Sequence, residues 1–191
     1  YFIFNGDEIG LSVPASVDAV EFETSLSLFI DERDQDIPNP TIDTLEAAIA
    51  LYRGDLLPGL YDHWCLFPRE VLRDKYIIAV ERMMAWHAEL EDWATALLYA
   101  KRLLDVDPLL EHVHRDIMRF HYARGDRPAA LRQYAACRNQ LRRDLTIEPM
   151  VDTTKLYQAI REENDTEILR RAHERWGHRQ SASSQILPKR K

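Results

Sequence analysis

Residues 84–103 and 118–137 superimpose without gaps at an offset of 34, and this internal repeat restricts the architecture more than any other feature. Met84 matches Met118, His87 matches His121, Asp92 matches Asp126, Ala96 matches Ala130 and Leu97 matches Leu131. Trp86 with Phe120, and Leu103 with Cys137, are conservative partners. A period of this length accommodates two antiparallel helices and their turns. One helical hairpin cannot bury both of its faces, so neighbouring copies have to stack. The close crossing within each hairpin demands small side chains, and Ala96 and Ala130 stand at that place. Gly125 suits the tight turn between helices, whereas Glu91 in the other copy asks for a looser one. Pro108, after Asp107, stops the helix that links the copies.

The flanking sequence is written in the same helical period. Asp18 or Ser16 caps a helix carrying Val20, Phe22, Leu26, Phe29 and Ile30. Residues 34–41 read as a polar, proline-containing loop. Thr41 or Asp43 opens a helix through Leu45, Ala48, Ile49, Leu51 and Tyr52, which Gly54 stops. The stretch from Asp55 to Pro68 reads as a buried connecting loop held by aromatic contacts. Further helices are predicted over Arg69–Glu91, Trp93–Val106, Glu111–Arg124, Pro128–Leu145 and Asp152–Glu163. The segment Arg170–Lys191 begins helical and frays. Two-helix units at this period resemble the tetratricopeptide repeat (TPR). The expected fold is therefore all-α, a TPR-like bundle of antiparallel helix hairpins. Only the amino end differs: Tyr1–Phe4 and Ile9–Val13 around Asn5-Gly6-Asp7 predict a short β-hairpin.

Charge divides the chain unevenly. Its 25 basic and 32 acidic residues give a net charge of −7, with −11 in residues 1–68 and +6 in residues 169–191. A net negative chain is ill suited to wrapping phosphate backbone by itself. No apolar run approaches the ~20 residues of a membrane span, and no basic n-region of a signal peptide precedes Arg33. Cys65 and Cys137 cannot make a disulfide framework and read as reduced core fillers, which points to the cytoplasm. The first residue is Tyr1 rather than Met, which fits a piece of a longer protein.

Catalytic constellations are absent. Gly54 to Gly59 has a phosphate-loop glycine spacing but continues Leu60-Tyr61, so the phosphate-binding lysine is missing. No G-x-S-x-G elbow occurs. His173 and His178 are five apart, not four, so a helix turns them about 140° from each other, and no metal site is expected there. His112 and His114 read as a solvated pair on different helix faces. No catalytic residue, metal or cofactor is assigned, and an enzyme is not expected.

A wider set of residues carries a family likeness. It comprises Tyr52-Arg-Gly-Asp-Leu-Leu-Pro-Gly59, then Trp64, Arg69, Leu72, Tyr76 and Ala96, then Asp107-Pro108-Leu-Leu-Glu111. Met118, Gly125, Ala130-Leu131, Tyr134, Leu141, Leu145, Pro149 and Leu156-Tyr157 complete it. In this order and spacing the chain resembles the bacterial transcriptional activator domain of antibiotic-regulatory-protein-type activators, over about residues 18–160. The resemblance implies an all-helical TPR-like module behind a winged-helix DNA-binding domain of the OmpR type. An ATPase, forkhead-associated, cyclase or further TPR region can follow. Residues 1–17 then look like the last hairpin of the winged-helix domain, 18–163 like the activator domain, and 164–191 like a basic linker or tail. The family's usual glycine before Glu148-Pro149 is replaced by Thr146-Ile147, so the local turn is expected to differ.

The resemblance implies a regulatory and oligomerisation module of a transcription factor. DNA would be bound only through the upstream domain, and the protein partner would be a second copy in a homodimer, RNA polymerase or a sensor domain. A generic TPR adaptor that grips a peptide without a role in transcription is the alternative. The first helices of the repeats should line the groove, offering His87, Arg115, Arg119, His121 and Tyr122. Arg115, Arg119, Arg124 and Arg127 read as exposed cations suited to an acidic surface.

Overall fold

A computed structural model describes residues 2–5, 8–11, 17–30, 42–164 and 168. Among these lie seven helices: α1 Asp18–Ile30, α2 Ile42–Leu51, α3 His63–Glu89, α4 Trp93–Val106, α5 Glu111–Ala123, α6 Arg127–Leu145 and α7 Val151–Arg161. Strands β1 (Phe2–Asn5) and β2 (Glu8–Leu11) pair antiparallel, Phe2 opposite Leu11 and Asn5 opposite Glu8. The chain divides into two units, residues 1–79 and 80–191, with the boundary inside α3. The predicted loop over 34–41 and the fraying end beyond Arg170 lie outside the described residues.

In the first unit, α1 and α2 pack together, burying Phe22 and Leu26 against a core that includes Leu45, Ala48 and Ile49. Val20, expected on the apolar face, is exposed. The Tyr52 ring stacks on Tyr76 at 4.2 Å and meets Phe22 at 5.6 Å. Burial, and then the neighbouring Asp55 carboxylate, push the Tyr52 hydroxyl up to about 12. The stretch before Arg69 departs from expectation. Helix α3 begins at His63 and contains Pro68, and Leu57, Leu60, Tyr61, Trp64 and Phe67 are exposed. The reason is Arg69, which is buried. Its Nε donates to the Leu56 carbonyl at 2.8 Å, and its Nη2 donates to the carbonyls of Leu57 and Leu60 at 2.7 Å each. A guanidinium occupies the inside of this loop and backbone oxygens turn inward to it, while Trp64 and Phe67 lie on the exposed side of α3. Cys65 is fully buried.

The second unit is the repeat. Asp92 and Asp126 cap α4 and α6, their side chains accepting from the backbone N–H of Thr95 at 3.2 Å and of Ala129 at 3.0 Å. Pro128 sits in the first turn of α6, where a missing N–H leaves no hydrogen bond unmade. Each turn closes on one pattern: Asp92 N–H donates to the His87 carbonyl and Asp126 N–H to the His121 carbonyl, both at 2.9 Å. Glu91 holds this turn in the left-handed region, as Gly125 does, so the looser turn expected there does not occur.

A third turn of the same kind follows. Asn164 N–H donates to the Ala159 carbonyl at 3.0 Å, Glu163 takes the left-handed residue's place, and Ile168 N–H reaches the Asn164 carbonyl at 3.2 Å. Asn164 stands 38 residues after Asp126, so the 34-residue offset passes over it. Met84, Met118 and Leu156 are buried counterparts ahead of the three turns, as Ala96, Ala130 and Ile168 are after them. Ala130, Ile168, Met118, Leu156, Ala159 and Ile160 form one core cluster, with Tyr122, Leu131, Tyr134 and Tyr157 packed on it.

Candidate partner-binding face of the helical repeats

The five residues assigned to a groove all lie in the second unit, and most of their polar atoms face inward. His87 and His121 occupy the same position in α3 and α5, one residue after an aromatic ring and five before a capping aspartate. His87 Nδ1 hydrogen-bonds Asp92 Oδ2 at 3.1 Å, and its ring stacks on Tyr99 with centroids 5.5 Å apart. Asp92 is held below the usual carboxylate range chiefly by its Thr95 hydrogen bonds, with His87 adding to the effect. His87 thus fixes a cap and fills a helix crossing.

His121 lacks the equivalent bond, and its Nδ1 is buried without a hydrogen-bond partner. Burial lowers its proton affinity; Asp126 opposes this, while Arg124, Lys101 and Arg132 reinforce it. These three cations are exposed. A neutral imidazole therefore sits among positive charges on α4 to α6.

Arg115 and Arg119 are committed internally. Arg115 Nη1 donates to Thr153 Oγ1 at 2.8 Å, and that hydroxyl donates to Glu111 Oε2 at 2.7 Å. Glu111 Oε2 also accepts the Met150 N–H at 2.9 Å, so the network ties α5 to the start of α7. Arg119 Nη1 lies 3.0 Å from Asp116 Oδ1, and these side chains are 8% and 0% exposed. The expectation of an arginine-rich exposed face on α5 is corrected accordingly. Arg127 is engaged too: its Nε donates to the Ile160 carbonyl at 2.9 Å, another nitrogen reaches the Arg161 carbonyl, and Nη1 pairs with Glu163 at 3.0 Å. It caps the carboxyl end of α7, whose last carbonyls have no partner within the helix. Of the four arginines, Arg124 is exposed.

The paired histidines of α5 also differ from expectation. His114 is buried, its Nε2 3.0 Å from the Pro108 carbonyl and its Nδ1 2.7 Å from Gln133 Nε2, while His112 bonds Glu81. Pro108 thus serves the fold through its carbonyl as well as its ring. Ala96 and Ala130 are fully buried, and Gly125 occupies the left-handed turn. Tyr122 is half-buried on the core cluster.

Sequence reasoning did not find the Glu111–Thr153–Arg115 network or the capping role of Arg127. Both join residues more than 30 positions apart across hairpins, and no local pattern marks them. Among the described residues no group of three or more His, Cys, Asp or Glu side chains can hold a metal ion, and no helix is long and apolar enough to cross a membrane. Burial pushes the Cys137 thiol up to about 12, so it is not a nucleophile at neutral pH.

Stacked helical hairpins whose polar groups serve caps, crossings and inter-helix ties define an all-helical repeat domain. The sequence profile of the bacterial transcriptional activator domain matches residues 17–161, and the chain belongs to that family. No curated protein matches the chain.

Proposed function

We propose that this chain is the regulatory and protein-interaction segment of a bacterial transcriptional regulator, acting in the cytoplasm. It couples an upstream winged-helix DNA-binding domain, whose last hairpin is the β1–β2 pair, to a protein partner. That partner is a second copy in a homodimer, RNA polymerase or a sensor domain. The observation that carries this reading is the family match over residues 17–161. Within the repeat, the exposed Lys101, Arg124 and Arg132 cluster around His121 and offer positive charge to an acidic partner surface. Charge complementarity of this kind sets on-rate and specificity and weakens with salt. The basic end of the chain forms a linker rather than a DNA reader.

Fusing residues 1–191 to a monomeric DNA-binding domain that does not activate by itself tests the reading. Reporter transcription above that of the DNA-binding domain alone is expected, with loss on combined Arg124→Glu and Arg132→Glu. Reporter output indistinguishable from the bare DNA-binding domain overturns it.

A further inference from the structure

The first unit carries an apolar face that this reading does not use. Tyr61, Trp64 and Phe67 are 80%, 65% and 75% exposed, and Leu57, Leu60 and Ile78 are exposed as well. At 100° per residue, Trp64, Phe67, Val71 and Ile78 fall within an arc of about 60° on α3, well off the arc of the buried Cys65, Arg69, Leu72, Tyr76 and Ala79. Isolated exposed apolar side chains need no explanation, whereas an aromatic stripe marks a contact surface.

The backbone that leads into the stripe is braced by hydrogen bonds. The three carbonyl bonds of buried Arg69 fix residues 56–60, and the Cys65 thiol donates to the Asp62 carbonyl at 3.0 Å. A backbone braced before binding loses little entropy when a partner arrives, which favours an anchoring surface.

Its border selects the occupant. Asp62, Glu70 and Asp74 are exposed, Glu70 and Asp74 run along one edge of the stripe on the helix surface, and Lys75 at the other edge is paired with Glu23. The first 68 residues, which include most of this face, carry a net −11. Nucleic acid and anionic membrane are therefore repelled. A second copy is disfavoured too, because it would set the same acids against one another. A helix with one aliphatic face flanked by Lys and Arg satisfies both the stripe and its rim. We propose that Tyr61, Trp64, Phe67 and Ile78 form a docking site for a basic amphipathic helix of a partner protein. The site is independent of the cations around His121 and stands whether or not they bind anything.

The chain contains four tryptophans, so its indole N–H signals in nitrogen-15 NMR are few, and Trp64→Phe assigns the one at the site. The whole chain is titrated with a synthetic helix of ~18 residues, leucine on one face and lysine on the other, and with its leucine–glutamate counterpart. The lysine helix is expected to shift the Trp64 signal and to bind more weakly as salt rises, while the glutamate helix does not bind. Combined Tyr61→Ser and Phe67→Ser, at positions where folding does not depend on burial, should weaken binding about tenfold or more. Equal binding of both peptides, or unchanged affinity in a double variant with an unaltered circular dichroism spectrum, overturns the proposal. So does concentration-dependent self-association in the ultracentrifuge that the same double variant abolishes, because the occupant is then a second copy.

Discussion

Glu91 and Gly125, 34 positions apart, hold the same left-handed backbone conformation, φ 58° and 77°, at the same hydrogen-bonded turn. Glycine adopts this region freely, whereas a side chain with a Cβ does so at a cost of about 1 kcal/mol. Glu91→Gly is therefore expected to stabilise the chain by up to about 1 kcal/mol, raising the melting temperature by about 2–4 °C. A lowered melting temperature would mean that the Glu91 side chain makes a contact worth more than the strain.

Thr146 presents the same situation in sharper form. It ends α6 at φ 60°, with its N–H donating to the Arg142 carbonyl at 3.1 Å. The turn before Glu148-Pro149 thus keeps a left-handed residue although threonine stands in it, and a β-branched side chain tolerates that region poorly. Part of the compensation lies nearby, where Glu148 binds Arg138 at 2.8 Å and Arg142 at 2.6 Å. Thr146→Gly should raise the denaturation midpoint by about 1 kcal/mol equivalent, and Thr146→Val should lower it. Urea titrations of both variants give the comparison.

These turns show how far the sequence is legible. A period of 34 with Ala96 and Ala130 in register is enough to predict stacked helical hairpins, because helix crossings tolerate few side chains. The third turn escapes that test because Asn164 comes 38 rather than 34 residues after Asp126, and Ala159 replaces histidine. The candidate face is less legible. Arg115 and Arg127 look like any exposed arginines along a helix, and only the folded chain brings Thr153 and the Ile160 carbonyl to them, whereas Asp116 is an i,i+3 neighbour of Arg119 and only the burial of that pair is hidden. The aromatic run from Tyr61 to Phe67 misleads for a related reason. Its hydrophobicity argues for burial, but Arg69 takes the interior place.

Ala130 tests the helix crossing. It is fully buried, in a cluster with Met118, Leu156 and Ile160. Ala130→Glu forces an unpaired carboxylate into that cluster and is expected to cost about 3 kcal/mol or more. Denaturant unfolding of wild type and variant measures this, and a difference below about 1 kcal/mol would contradict a close crossing at this position.

Arg119 and Asp116 yield a prediction about interpretation as well as stability. Arg119→Ala leaves the fully buried Asp116 carboxylate without that guanidinium, and breaking a buried pair in this way costs about 3–5 kcal/mol. Loss of function on mutating Arg119 should therefore accompany loss of folded protein, visible as a lowered melting temperature. Arg124→Ala, at an exposed position, should leave stability within about 0.5 kcal/mol.

His114 links stability to pH. Its Nε2–H faces the Pro108 carbonyl and its Nδ1 accepts from Gln133, so the fold holds the neutral imidazole. Burial is the main cause that lowers its proton affinity from the ordinary 6.5, against smaller opposing effects of the Pro108 carbonyl and Glu111. The unfolded chain then binds a proton more readily than the folded one, so this stability is complete above about pH 6.5 and falls as pH drops through 6.5 toward the depressed folded value. His121 is shifted in the same direction and adds to the effect. Asp92 and Glu148, with ordinary values of 3.8 and 4.5 and both lowered, lose their contributions only at more acid pH. Urea midpoints between pH 7.5 and 5 should therefore decline, by at most about 1.4 kcal/mol per pH unit for His114 and by less for the more exposed, solvent-screened His121. His114→Gln, which keeps a donor for the Pro108 carbonyl and cannot titrate, should flatten part of that slope. An unchanged slope in His114→Gln would show that the pH dependence arises elsewhere.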